Sequence, residues 1–356
     1  MADSSVQIER LEVVPYALPF AEPYVTARGR LDQREMALVR IHANGLAGLG
    51  EAVPLSLRGG NTLAEIVADL ERNAVLLAGA EVDPAHWARP TARLLSAISP
   101  PAAAAIEVAL LDLAGKAAGE PAWRLLGGRT SGAVRCNATL TAGAPGEVAR
   151  RAIAWGERGF DTFKLKVGMD GDVEQVEAAR EALGGKARLR VDANGSWTVE
   201  EAAARLAAMG PLELAEEPVA GLDAMARLRA GAGPPLVADE SIASLADAEH
   251  ADDIGACDMT TVKLAKVGGP IAALAIGRVL PVYLSSALDG PVGIAGAAHL
   301  AQVLPDLGVA HGLATSLLFS DTIGRGAELE GPLLHVSDAP GLGVTVDEDA
   351  IRRLAT

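Results

Sequence analysis

The chain has 356 residues, half of them hydrophobic but only 3% aromatic, and 31 Lys and Arg stand against 46 Asp and Glu for a formal charge of -15. That acidic balance disfavours a nucleic-acid grip through a basic face, and the apolar content excludes a disordered chain. Two cysteines, Cys136 and Cys257, cannot form a disulfide scaffold and have no zinc-site spacing, so a reducing cytoplasm is the expected compartment.

Asp3, Glu9 and Arg10 stand where a signal peptide needs an apolar run, and the best apolar stretch, 101–119, is cut by Glu107, Asp112 and Lys116. A soluble, unsecreted chain with no membrane partner is the expectation. Residues 6–16 and 35–53 alternate as antiparallel strands around the turn signal Asn44-Gly45. Helical patterns follow at 62–79, 84–97 and 101–118, which predicts an α+β domain over 1–125. From about residue 134 short apolar runs alternate with amphipathic stretches. Strands are expected at 134–140, 162–167, 187–192, 212–216, 235–239, 258–264, 281–286 and 308–313, with helices such as 172–183 and 199–209 between them. Eight strands with helical crossovers predict a parallel β/α barrel over 126–332. An open doubly wound sheet is the other arrangement, but no Gly-rich nucleotide loop follows the first strand. The segment 333–356, with its Pro340-Gly341 turn, is expected to pack back on the first domain.

A barrel strand is buried on both sides, so a charge within it needs a reason. Here charges recur on a schedule: Lys164 and Lys166 in FKLKVG, Asp192 in RVDANG, Glu216 in LAEEP, Asp239 in VADES and Lys263 in TVKLAK. From 192 to 216, 239 and 263 the steps are 24, 23 and 24 residues, one β/α unit each. All of them therefore reach the rim at the carboxyl ends of the strands, where barrel enzymes place their chemistry. Asp192, Glu216 and Asp239 come from adjacent strands and converge, while strands two and six face each other and bring Lys166 and Lys263 to opposite sides of one cavity. Period-two alternation puts Lys164 with Lys166, and Asp192 with Asn194, on shared faces. Three close carboxylates call for a cation, and all-oxygen ligation favours Mg2+, with Mn2+ able to substitute. Lysines near each other and near a dication have depressed pKa values, which suits one to act as a general base and the other to stabilise negative charge. This set resembles enolase-superfamily sites, in which a Lys or His base and magnesium serve abstraction of a proton α to a carboxylate, and the resemblance implies a small-molecule carboxylate as substrate.

These residues resemble the enolase superfamily, in its muconate-lactonizing-enzyme subgroup. The likeness covers nearly the whole chain: IEVALLDLAGKAAGEPAWRLLGG at 106–128 looks like the family's domain-joining helix, and KLK, DANGSW, EEP, ADES and VKLAKVGG follow in family order. The resemblance implies a (β/α)7β TIM-type barrel with an N-terminal α+β capping domain, completed by 333–356, whose loops around 18–29 and 53–61 close over the substrate. It also implies Asp192, Glu216 and Asp239 as metal ligands, with Glu217 and Glu240 as their neighbours, Lys166 as the base and Lys263 as the opposing lysine. The short step from Asp192 to Glu216 leaves the length of the third helix open.

Within the subgroup, YLSSALDGPVGIAGAAHLAQ at 283–302 resembles o-succinylbenzoate synthases, whose Ser-Ser pair faces the succinyl side of the ligand; Ser285 and Ser286 match it. The implied reaction is dehydration of 2-succinyl-6-hydroxy-2,4-cyclohexadiene-1-carboxylate through an enediolate, in menaquinone biosynthesis, with Lys164 and Asn194 also touching substrate. An N-acylamino acid racemase needs the same two lysines, and muconate cycloisomerase ranks behind it. A dipeptide epimerase would place an Asp-x-Asp pair where HGLAT supplies Gly312 and Ala314, and a catalytic histidine is not needed, which leaves His311 a structural role. An inactive anion-binding barrel explains the pocket but not both lysines. Other readings weigh against single residues: junction carboxylates and serines often cap helices, Arg28 and Arg58 are as readily solvated as substrate-facing, Lys266 reads as solvated beyond a strand end, and Cys257 as buried and inert. A homo-oligomer is compatible with all of this.

Overall fold

The structure is a computed structural model that describes residues 5–55, 59–95, 97–231 and 233–356. Residues 56–58, including Arg58 and part of the second expected cap loop, lie outside the described residues.

An antiparallel sheet opens the chain, built from β1 (Val6–Thr26), β2 (Gly29–Ala43), β3 (Leu46–Ala52) and the short β4 (Glu81–Val82) in the order β3-β2-β1-β4. The predicted Asn44-Gly45 turn joins β2 to β3, with both residues at positive φ, 50° and 78°, as a tight hairpin requires. β1 continues to Thr26, beyond the expected end at residue 16, despite Pro19 and Pro23. Among the described residues β4 pairs only with Val6 and Gln7, and further along that edge β1 makes only isolated bridges, at Tyr16 and Phe20, so proline interrupts no continuous ladder there.

Helix α1 (Leu63–Leu77) starts with a capping box between Thr62 and Glu65. The single helix expected at 84–97 is instead two short 3-10 turns, Pro84–His86 and Arg89–Arg93. Pro84 and Pro90 each sit in a first turn, and a longer helix could not pass through Pro90. Helix α2 (Pro100–Ala118) is buried nearly all round, and α3 (Ala122–Leu125) follows it. β3 approaches α2 so closely that a Cβ on Gly48 would lie 2.1 Å from the Ala109 carbonyl oxygen, and one on Gly50 1.9 Å from that of Ala105. Two glycines one strand repeat apart thus meet two alanines one helical turn apart, which is what the small-residue composition makes possible.

The expected first strand divides into β5 (Val134–Arg135) and β6 (Ala138–Leu140), and the barrel sheet begins with β6. It continues through α4 (Pro145–Glu157), β7 (Thr162–Lys166), α5 (Asp172–Leu183), β8 (Arg188–Asp192), α6 (Val199–Ala208), β9 (Leu214–Glu216), α7 (Leu222–Arg229) and β10 (Leu236–Ala238). After these come α8 (Leu245–Asp253), β11 (Met259–Val262), α9 (Leu264–Val267), α10 (Pro270–Ile276), β12 (Val282–Leu284) and α11 (Pro291–Ala301). α6 answers the question left by the short step before Glu216, because a ten-residue helix with its own capping box fits it. Strands β6 to β12 are parallel and hydrogen-bonded in chain order. The expected eighth strand is reduced to two parallel bridges, Ser285 with Gly312 and Cys136 with His311. The His311 N–H donates to the Arg135 carbonyl (2.7 Å) and the Gly312 N–H to that of Leu284 (2.8 Å), which closes the ring. The fold is a (β/α)7β barrel with an α+β cap.

Beyond the barrel lie β13 (Gly324–Arg325), β14 (Glu328–Glu330), β15 (Leu333–His335), β16 (Thr345–Val346) and α12 (Glu348–Leu354). β15 pairs with β5, whereas α12 lies by the cap sheet, with Arg40 Nη2 2.6 Å from Glu348 and a bridge between Tyr16 and Ala355. Among the described residues no helix is long and apolar enough to cross a membrane.

Candidate active site

The strand register brings the scheduled charges together. Lys166 is level with Asp192, and Asp192 with Glu216, across β7, β8 and β9; Asp239 and Lys263 follow directly on β10 and β11. Asp192, Glu216 and Asp239 are fully buried, and one oxygen from each lies within 4.8 Å of the others. An all-carboxylate set held this closely fits a hard divalent cation.

Ammonium groups surround the carboxylates. Lys164 Nζ lies 2.5 Å from Glu216 Oε1 and 2.8 Å from Asp192 Oδ2, so it bridges two of the expected ligands. Lys166 Nζ donates to Asp192 Oδ2 (2.5 Å) and Asn194 Oδ1 (3.2 Å), and Lys263 Nζ to Asp239 Oδ2. The electrostatics follow from this packing. Burial pushes the Asp192 carboxyl up, but Lys164 and Lys166 outweigh it and hold it well below the usual carboxylate range. Burial keeps Glu216 raised despite Lys164, helped by Asp192 and Asp239. For Lys164, burial lowers the ammonium, yet Asp192 and Glu216 carry it well above the ordinary lysine value.

Lys266, expected in solvent, is buried: its Nζ donates to Asp239 Oδ1 (3.0 Å), to the Asp239 carbonyl and to the Thr261 carbonyl (3.1 Å). The reason is local, since α9 starts immediately after Lys263 and places residue 266 one turn further on the same side. Asn194 acts as a junction at φ 49°. Its N–H donates to Asp192 Oδ1 (3.1 Å), its Nδ2 to Glu240 Oε1 (2.8 Å), and its carbonyl accepts from Arg28 Nη2 (2.6 Å). Glu217, at φ 37°, turns away from the carboxylate cluster and accepts from the Asp239 N–H (2.7 Å) and from Ser241; burial and the nearby Glu240 push its carboxyl up to about 7. Left-handed non-glycine residues at two neighbouring strand ends are the kind of strain that functional sites hold.

A pocket of about 660 Å³, counting its open mouth, lies over this cluster. Lys164, Lys166, Asn194, Lys263, Ser285, Ser286 and Thr315 line it from the barrel. Tyr24, Thr26, Arg28, Arg34 and Leu55 reach it from the cap. The serines do not cap α11, which begins at Pro291; Ser286 Oγ instead contacts Thr315 Oγ1 and accepts from the Leu288 N–H (3.1 Å). Their loop is held from the cap: Arg34 Nη2 donates to the Ala287 carbonyl (2.8 Å), and Glu51 accepts from the Gly290 N–H (2.5 Å) and from Tyr16 Oη (2.8 Å). His311 Nδ1 accepts from the Leu284 N–H (2.9 Å), a structural bond, and burial lowers the imidazole to about 4. Cys257 is buried and its thiol pushed up to about 11 by that burial.

Sequence reasoning missed Tyr283, whose hydroxyl donates to Glu216 Oε2. Its signal was present, since it lies two residues before Ser285 on a strand of period two. Arg34, Tyr24 and Thr315 carried no comparable signal, because their approach depends on how the cap and the last barrel turn meet.

Residues 8–127 match the mandelate racemase/muconate lactonizing enzyme N-terminal domain, and residues 147–350 the enolase C-terminal domain-like family. An o-succinylbenzoate synthase from Thermobifida fusca is 40% identical over 57% of this chain and 64% of its own length. Among solved structures, muconate lactonizing enzyme from Pseudomonas fluorescens complexed with muconolactone superimposes with a TM-score of 0.93 at 31% identity, covering 99% of this chain and 100% of that one. The dipeptide epimerase of Enterococcus faecalis V583, complexed with Mg and the dipeptide L-Leu-L-Tyr, gives a TM-score of 0.90 at 30% identity over 95% of this chain and 99% of that one. With both halves of the chain matched and the carboxylates and lysines at the strand ends, this protein belongs to the muconate-lactonizing-enzyme subgroup of the enolase superfamily.

Proposed function

We propose that this enzyme is an o-succinylbenzoate synthase, which dehydrates 2-succinyl-6-hydroxy-2,4-cyclohexadiene-1-carboxylate in menaquinone biosynthesis in the cytoplasm. The carrying observation is the pair Ser285 and Ser286 lining the same pocket as Lys166 and Lys263. The higher identity to an o-succinylbenzoate synthase than to the epimerase or lactonizing structures supports it, though over a shorter span. We also take 1–125 with 333–356 as the cap and 126–332 as the catalytic barrel.

In this reading Asp192, Glu216 and Asp239 hold Mg2+, or Mn2+ in its place. When bound, the ion supplies a Lewis-acid hold on the substrate carboxylate. Lys166 as a neutral amine takes the α-proton, Lys263 as an ammonium balances the charge that develops on the carboxylate, and the proton gained by Lys166 leaves with the 6-hydroxyl as water. Lys164 and Asn194 bound the substrate from the barrel side, and the two serines face its succinyl arm.

The test is direct assay with that cyclohexadiene acid and Mg2+. Aromatic product should form with the parent, while Lys166→Ala should keep metal binding and lose roughly 100- to 10,000-fold in kcat, the range for a general base. Absence of product from the parent sinks the synthase reading, and substantial turnover by Lys166→Ala sinks the base assignment. Two lysines flanking one pocket also favour a second reading, N-acylamino acid racemase; deuterium entering the α-position of an N-succinylamino acid, without dehydration of the cyclohexadiene acid, would decide for it.

A further inference from the structure

Glu216 differs from the other two carboxylates in that a side-chain hydroxyl holds its second oxygen. Asp239 meets ammonium groups at both oxygens, Lys263 at Oδ2 and Lys266 at Oδ1 (3.0 Å). Asp192 has Lys164 and Lys166 on Oδ2 and the Asn194 backbone N–H on Oδ1 (3.1 Å). On Glu216, Lys164 takes Oε1 (2.5 Å), and Oε2 accepts instead from the Tyr283 hydroxyl. A phenol is uncharged and, unlike an ammonium, can keep its bond to a carboxylate oxygen without repelling a dication bound to the same carboxylate.

Tyr283 is itself held in place. It is 1% exposed, on β12 directly across the barrel from β8, and the Arg190 guanidinium lies 5.4 Å from its ring centroid. Arg190 is fully buried and anchored by Glu213 Oε2 (2.6 Å) and the Ala310 carbonyl (2.6 Å). The barrel interior thus fixes the ring through a charge that does not touch the carboxylates. We propose that Tyr283 is a positioning residue for the metal centre: its hydroxyl holds Glu216 by Oε2 and so keeps that carboxylate turned toward the cation site.

The proposal rests on the reading that Asp192, Glu216 and Asp239 bind the ion. It is tested by titrating Mn2+ into the full-length parent, Tyr283→Phe and Glu216→Gln, following bound Mn2+ by electron paramagnetic resonance. The phenylalanine keeps the ring over Arg190 and removes only the hydroxyl. Its dissociation constant should rise about 10- to 100-fold, the usual effect of losing a partner of a metal ligand, with an unchanged circular dichroism spectrum. A parent that binds Mn2+ while Tyr283→Phe binds within twofold of it overturns the tyrosine assignment alone; a parent that binds none, or a Glu216→Gln variant that binds normally, overturns the carboxylate reading and the proposal with it. The chain has three tyrosines, so fluorotyrosine-labelled protein provides a measurement that needs no substitution at 283. Mg2+ should shift one fluorine resonance that persists in Tyr16→Phe and Tyr24→Phe, and no such shift would overturn the proposal even if Tyr283→Phe fails to fold.

Discussion

At the scale of single residues, buried titratable groups outside the catalytic cluster give the chain a pH dependence of stability. His299 accepts from the Trp123 N–H at Nδ1 (3.1 Å) and donates from Nε2 to the Leu342 carbonyl (3.2 Å), so the fold holds it neutral, and burial lowers it to about 4. With a folded value below the unfolded 6.5, the unfolded chain binds the extra proton first. The contribution of His299 is therefore complete above about pH 6.5 and is lost as pH falls toward 4, by roughly 2 kcal/mol between pH 7 and 5. Urea unfolding at those two values should show the advantage of the parent over His299→Gln shrinking by that amount; a constant difference would refute it. Lys266 gives the other lesson at this scale. Its charge suggested solvent, but a helix beginning directly after Lys263 returns it under Asp239, a consequence of backbone path that residue type does not carry.

At the scale of elements, the seam between β3 and α2 depends on the absence of side chains at Gly48 and Gly50. A Cβ on Gly50 would stand 1.9 Å from the Ala105 carbonyl oxygen, and backbone on both sides leaves nothing flexible to yield. Gly50→Ala should therefore destabilise by about 3 kcal/mol, the upper part of the range for overpacked cores, and a denaturation midpoint equal to that of the parent would show the seam to be looser than described. The barrel was the most legible part of the chain because a charge at the end of a buried strand is conspicuous. Asp192, Glu216, Asp239 and Lys263 marked four consecutive strand ends before any contact was known. The cap was less legible. β1 hid its length behind prolines whose cost depends on which edge is paired, and the pattern over 84–97 had apolar periodicity but also Pro84 and Pro90, which left only 3-10 turns. The last barrel strand was expected as six residues and forms only two bridges, at one of which Gly312 runs so close to Ser285 that the serine Oγ lies 2.6 Å from where a Cβ would be.

At the scale of the whole molecule, cap and barrel are joined by buried polar contacts. Glu51 from β3 accepts from the Gly290 and Val292 N–H groups at the start of α11. Burial and the neighbouring Asp289 push its carboxyl up to about 7 from 4.5, against the pull of Tyr16 and those N–H groups. A raised folded value means that the folded chain keeps its proton longer, so this group costs stability as pH rises from about 4.5 to 7. Measured against Glu51→Gln, the parent should lose roughly 2 kcal/mol between pH 5 and 8, the opposite sense to His299, and thermal melts at the two values would distinguish a flat difference from this slope. The closure of the barrel has one more consequence, for motion. The ring joins its ends through a few backbone bonds around His311 and Gly312, and the adjoining strand end carries Ser285 and Ser286. The amides there have few neighbours to share an opening with, so they should exchange with solvent deuterium sooner than those of β7 to β9. If Ser285 and Ser286 face the succinyl arm as proposed, the residues that select the substrate adjoin the part of the ring expected to exchange first.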